Sequence, residues 1–269
     1  MRKVLYLYLN KNIKGFMEIL GIDVGGSGIK GAPVNVETGE LTAERYRVAT
    51  PKPSKPEQIA EAVKELVEYY DWKGAVGCGF PTVIHHGKSV ARGNIHKSWK
   101  GVQVDELFSE RTGLPFTVIN DADAAGLAEM TFGAGRGKMG LVIMVTIGTG
   151  LGTGVFFNGQ LIPNFELGRI YYRDGQLIEF FASDAARQKE ELSYKTWGKR
   201  FNKFLKHVVR IFSPDLFIIG GGASKKFDKF KDQITVDVPI LIAEKQNDAG
   251  IVGAAVAAKR MTQGAIISS

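Results

Sequence analysis

The apolar positions of this chain fall into short unbroken runs separated by stretches of helical spacing. Residues 18–24, EILGIDV, form one such run, the pattern of a strand buried on both faces. Segments 29–36 and 41–48 continue it as hairpin strands around a turn at Thr38 and Gly39. A Pro-rich loop, 49-ATPKPSKPE-57, then leads into residues 58–70, where apolar and charged positions alternate as in an amphipathic helix. Residues 74–80 read as a further strand, and residues 118–120 as the end of a strand that runs into a helix over 122–130. The second half restarts the scheme with strand 141–147, a Gly-rich turn, strand 154–159, a long helix over about 193–212 and strand 215–220. Strands alternating with helices predict an α/β fold, and 269 residues predict two lobes.

The two restarts resemble each other. In 22-IDVGGSGIKG-31 and 145-VTIGTGLGTG-154 a strand ends in a polar residue, Asp23 or Thr146, and Gly25 and Gly148 then fall in register. Gly-rich turns let backbone N–H groups approach an anion without Cβ interference. Two matched turns, one opening each half, predict related lobes that hold a phosphate between them. A third cluster, 218-IIGGGAS-224, ends the last strand and permits close approach of a ligand.

The stretch 118-VINDADAAG-126 places an amide and a carboxylate where a strand gives way to a helix. Asn120 or Asp121 could N-cap the helix, or the two could be a catalytic pair held on a rigid strand end.

Charge and composition narrow the partners. No apolar run approaches the roughly 18–20 residues of a membrane span. Residues 1–16, basic and with too short an apolar core for a signal peptide, read as an extension before the domain. Its Arg2, Lys3, Lys11 and Lys14 account for four of the formal +7, leaving a moderately basic body. Such a body suits phosphates without requiring nucleic acid or a membrane. The single Cys78 lies in an apolar strand and reads as a core residue, and with no signal segment it predicts a reducing, cytoplasmic setting. None of the four histidines has metal-site spacing with a partner.

Taken together, DVGGSGIKG, NDADAAGLAE, TIGTGLGTG, ELG and IIGGGAS resemble the ROK family of sugar kinases, over roughly residues 18–258. The loop TPKPSKPE, the segment KSWKG at 97–101 and the extended NDADAAGLAEM are similar to the polyphosphate-glucokinase branch. That resemblance implies a two-lobed, actin-like (hexokinase/ribonuclease H-like) ATPase fold. It implies an N-terminal α/β lobe over 17–120, a C-terminal α/β lobe over 121–248, and a helix near 249–262 packing back on the first. Its activity would be phosphorylation of glucose or a related hexose at the 6-hydroxyl, with Mg²⁺ and with polyphosphate or ATP as donor, in a homodimer. The family's Cys-rich zinc motif is missing, so no zinc is expected.

Carried over position by position, the resemblance makes Asp121 the general base and Asn120, Glu166 and Glu179 ligands of sugar hydroxyls, with Arg169 at a further sugar position. Asp23 would help to place Mg²⁺. Gly25, Gly26, Ser27, Gly28 and Lys30 would hold the donor together with Thr146, Gly148, Thr149, Gly150 and Gly152, and with Gly220, Gly221 and Gly222. The residue types suit phosphoryl transfer, which needs an in-line hydroxyl, neutralisation of the transferred group and a base. Polyphosphate asks in addition for a basic track. Lys97, Arg136 and Lys138 stand beside motif segments as candidate contacts, while Lys195, Lys199, Lys203, Lys206 and Arg210 on one helix face, and Lys225, Lys226, Lys229 and Lys231, read first as solvated faces.

The chain also departs from the family pattern. It has 94-NIHKSW-99 for N-[IV]-D-K-S-W and 164-NFELGR-169 for N-T-E-L-G-H. His96, Phe165 and Arg169 are therefore expected to alter the acceptor side and weaken hexose binding. The alternatives are a strictly ATP-dependent hexose kinase and a catalytically impaired sugar- or phosphate-binding homologue.

Overall fold

The computed structural model describes residues 18–91, 93 and 95–262, so the extension 1–16 and Asn94 of the NIHKSW motif lie outside the described residues. The chain opens with an antiparallel hairpin, β1 (Glu18–Val24) and β2 (Gly28–Asn35), in which Asp23 faces Lys30. The one strand expected over 41–48 is two, β3 (Glu40–Leu41) and β4 (Tyr46–Ala49), both pairing with β2. Between them Thr42, Ala43, Glu44 and Arg45 are all exposed, and no large apolar side chain holds that segment to the core. Helix α1 (Pro56–Tyr69) starts at a proline whose fixed φ suits the first turn, and it buries Ile59, Val63 and Leu66. Strand β5 (Val76–Phe80) then runs parallel to β1.

A small hairpin, β6 (Ile84–His85) and β7 (Lys88–Ser89), and α2 (Val104–Thr112) precede β8 (Phe116–Asn120), which completes the first sheet in the order β3-β2-β1-β5-β8. Strand β8 passes without a break into α3 (Asp121–Phe132). The second sheet has the order β11-β10-β9-β12-β13, built from β9 (Leu141–Ile147), β10 (Leu151–Phe157), β11 (Gln160–Ile162), β12 (Leu216–Gly220) and β13 (Ile240–Ile242). Its helices are α4 (Glu179–Ala182), α5 (Asp184–Lys189) and α6 (Tyr194–Phe212), the last burying Trp197, Phe201, Phe204 and Leu205. In each sheet an antiparallel hairpin is followed by strands parallel to its first member. The repeat read at the turns therefore extends to the topology of the halves.

Helix α7 (Ala249–Thr262) packs along β1, β5 and β8 and crosses α3, which in turn rests on β10. Small residues permit this approach. A Cβ on Gly253 would lie 1.6 Å from the Ala124 carbonyl oxygen, and one on Gly77 would lie 1.9 Å from that of Ala254. The two helices thus join the sheets, with the start of α3 at the cleft between them.

Candidate active site

The cleft between the sheets, about 350 Å³, is lined by the β9–β10 turn, whereas Asp23, Gly25, Gly26, Ser27, Gly28 and Lys30 of the β1–β2 hairpin are not among its lining residues. The β1–β2 turn is closed by Gly25 N–H donating to the Gly28 carbonyl and the β9–β10 turn by Gly148 N–H donating to Gly150, each at 3.1 Å. Thr50 Oγ1 donates to Gly25 O at 2.6 Å and Arg47 Nη2 to Ser27 O at 2.5 Å, which fixes the first turn from β4. Thr146, Gly148, Thr149, Gly150 and Gly152 line the cleft directly, joined by Gly221 and Gly222 from the end of β12. Gly220 is buried within β12. Gly221 sits at φ +77°, and a Cβ there would meet the Ile147 main chain at 2.5 Å.

At the strand-to-helix junction Asn120 and Asp121 divide, Asn120 capping the helix and Asp121 facing the cleft. Asn120 Oδ1 accepts the Ala122 and Asp123 N–H groups at 2.8 and 3.1 Å and so caps α3. Its amide, on the other side, donates to the Thr82 carbonyl at 3.1 Å and to Glu166 Oε1 at 3.4 Å. Asp121, relieved of capping, turns its carboxylate into the cleft, where it accepts the Ala122 N–H at 2.8 Å. Burial and the Asp23 charge push its pKa up to about 7. A carboxylate poised there can be ionised and still take a proton.

Glu166, Arg169 and Glu179 form the opposite wall. Burial raises both glutamates, and the Arg169 guanidinium opposes that rise at each, so one cation serves two carboxylates. Asp23 is also raised by burial, against Lys30 and Arg45, and a Cβ on Gly250 would meet its carboxylate at 2.8 Å. Cys78 is fully buried and burial pushes its thiol up, as befits a core residue.

Several expected contacts lie elsewhere. Arg136 and Lys138 follow the far end of α3, whose 12 residues put them on the order of 18 Å from the cleft end. Lys97 is exposed on the short turn Lys97–Trp99, which His96 caps by accepting the Ser98 N–H at 3.3 Å. His96 is thus a cap rather than a wall of the cleft. Phe165 turns away too, its ring 5.9 Å from that of Phe212 in the core of the second sheet. Of the three departures, only Arg169 reaches the site.

Other contributors carried no signal of their own. Pro81, Thr82 and Gly93 line the acceptor side, and Leu177 and Phe180 the outer wall. Asp123, 1% exposed, accepts the Asn164 N–H at 2.9 Å. Asn164 in turn exchanges two side-chain hydrogen bonds with the Ile84 main chain, at 3.0 and 2.8 Å, so the segment leading to Glu166 is tied to α3 and to the β6–β7 hairpin together. Burial pushes the Asp123 pKa up to about 8. An acid two positions after Asp121 in an otherwise small-residue helix was the available clue.

Known proteins share this arrangement. Residues 19–164 match the ROK family. The polyphosphate glucokinase of Mycobacterium tuberculosis is 42% identical over 238 residues, covering 88% of this chain and 89% of that protein. The crystal structure of the inorganic polyphosphate/ATP-glucomannokinase from Arthrobacter sp. strain KM is similar with a TM-score of 0.87 and 43% identity, over 91% of this chain and 99% of the other. A ROK family glucokinase from Streptomyces griseus, in complex with glucose and AMPPNP, shares the fold at a TM-score of 0.76 and 24% identity, over 91% of this chain and 100% of the other. The family match, and identity above 40% over most of its length, show that the chain belongs to the ROK family, and its paired sheets are that family's actin-like α/β fold.

Proposed function

We propose that this protein phosphorylates glucose or a related hexose at the 6-hydroxyl, taking the phosphoryl group from inorganic polyphosphate or ATP. The observation that carries the reading is Asp121, a carboxylate raised to about 7 in a cleft lined by the Gly-rich β9–β10 turn and by Glu166, Asn120 and Glu179. The hexose binds by its hydroxyls to these three side chains. Asp121 accepts the 6-hydroxyl proton as that oxygen bonds to the terminal phosphorus of the donor. The bridging P–O bond breaks, and the donor leaves as ADP or as a chain shorter by one phosphate.

Among the described residues no group of three or more His, Cys, Asp or Glu is placed to hold a metal by itself. Mg²⁺ commonly binds through one or two carboxylates and the substrate's phosphates, and the single carboxylate of Asp23 would help to place it, its charge neutralising that of the donor. By family resemblance the protein works as a homodimer in the cytoplasm. Among the described residues no helix is long and apolar enough to cross a membrane.

The test is Mg²⁺-dependent formation of hexose 6-phosphate, measured with polyphosphate and with ATP across several hexoses. Asp121→Asn should lower kcat by about 10²-fold or more, with little change in stability, because the swap is nearly isosteric. Near-normal turnover by a folded Asp121→Asn protein, or no product from any hexose with either donor, refutes the reading.

A further inference from the structure

Two cations from opposite halves of the molecule converge on one asparagine at the outer end of the donor side. Arg45, just before β4, donates from Nη1 to the Asn247 carbonyl at 3.3 Å and to Asp248 Oδ1 at 2.7 Å. Lys225, three residues beyond Gly222 in the stretch Gly222–Lys229, donates from Nζ to the Asn247 side-chain oxygen at 3.4 Å. Among the described residues, Asp248 is the one carboxylate in an ion pair with either.

The positive surface continues from there toward the first turn. Lys30 and Arg47 face each other across β2 and β4, and Arg47 is already hydrogen-bonded to Ser27. The start of α7 adds the positive end of a helix 14 residues long, with Gly250 against Asp23. Lys30 and Arg45 both act on Asp23, and Arg45 pairs with Asp248, so the cations Lys30, Arg45, Arg47 and Lys225 stand against these two carboxylates. Gly221 and Gly222 are exposed beside Lys225 and Lys226, while Phe227, the aromatic of that stretch, turns onto Phe230 at 5.2 Å.

Resting on the donor reading above, we propose that Arg45 and Lys225, with Arg47 and Lys30, form an outer donor subsite for the trailing phosphates of an inorganic polyphosphate chain. The transferred phosphate sits between the Gly-rich turns, and the remainder of the chain runs out between Arg45 and Lys225. A polymer engages this subsite and a nucleotide triphosphate engages it little, so the pair sets donor preference.

The experiment compares the wild type with the double variant Arg45→Gln, Lys225→Gln. It measures KM for long-chain polyphosphate, tripolyphosphate and ATP, together with equilibrium binding of long-chain polyphosphate in the absence of sugar. The expected result is a KM for the long chain raised about tenfold, against a change of no more than about threefold for the two short donors. The slope of log KM for the long chain against log salt should also flatten by about one to two. Equal shifts for all donors, or an unchanged KM and unchanged binding of the long chain, overturn the subsite. A wild type that turns over ATP but not polyphosphate overturns the subsite while leaving the kinase reading intact, and no product with either donor overturns that reading itself.

Discussion

Replacing Gly253 by alanine should damage catalysis from a position that touches no substrate. By helix propensity alone the change is favourable, by about 1 kcal/mol. The structure reverses the sign. A Cβ at Gly253 would lie 1.6 Å from the Ala124 carbonyl, and ordinary contact needs about 3.5 Å, so α3 and α7 must part by roughly 2 Å. Helix α7 cannot yield toward the first sheet, because Gly77 already brings β5 against the Ala254 main chain. The displacement therefore falls on α3, three residues into which Ala124 sits, and so on Asp121 at its first position. Overpacking of this kind costs about 1–3 kcal/mol, which exceeds the propensity gain. A shift of about 1 Å in a reacting group can lower turnover by about 10²-fold. Urea unfolding should show a net loss of up to about 2 kcal/mol, and steady-state kinetics a kcat reduced by about 10- to 100-fold with a smaller change in sugar KM. A Gly253→Ala protein at least as stable as wild type, with kcat within about threefold, would refute the close-crossing argument.

Three further outcomes follow from the site. Since Asp121 must be ionised to accept a proton and its pKa is raised to about 7, kcat/KM should fall about tenfold per pH unit below neutrality; a profile that stays flat well into the acid range removes Asp121 as the titrating base. Arg169→His alone should lower the hexose KM by about tenfold while leaving donor KM unchanged, whereas Phe165→Thr, acting in the core against Phe212, should leave the hexose KM alone and cost about 1–3 kcal/mol of stability; a hexose KM that follows Phe165 instead contradicts the placement of the two side chains. Asp123 has a raised pKa, so its favourable contribution is complete below the unfolded carboxylate value and is lost as pH rises through about 8; Asp123→Asn, which keeps an acceptor for the Asn164 N–H, should show a shallower fall of stability over that range, and an unchanged slope would mean that Asp123 ionises freely.

How much of this was legible in the sequence depended on whether a signal was local. The strands carried by apolar runs, such as β1, β9 and β12, stand within a residue or so of expectation, because burial on both faces leaves an unbroken apolar signature. Strand β10 begins at Leu151 rather than at 154, since a glycine-rich stretch hides strand pairing that only the facing strand β9 enforces. The short hairpin β6–β7 and the helix α2 had no such signature. His85 and Lys88 are exposed, and α2 buries little beyond Val104 and Phe108.

The site divides along the same line. Gly-rich turns are local objects, so Gly25 to Gly28 and Gly148 to Gly152 could be read from spacing. Which way a side chain points is a tertiary fact. Residue 165 and residue 169 flank the same glutamate, yet one ring enters the core beside Phe212 and the other side chain enters the cleft beside Glu179. Arg45 was invisible for the same reason: its meaning comes from Asn247 and Lys225, which the sequence places some two hundred residues away. The pair Asn120 and Asp121 shows why the opposition of cap and catalyst could not be settled locally. A helix starting directly from a strand needs a side chain to satisfy its first N–H groups, and Asn120, facing back toward Thr82, supplies it. That use of the asparagine leaves the next residue, already in the helix, with a carboxylate that lines the cleft, where the proposed reaction needs a base.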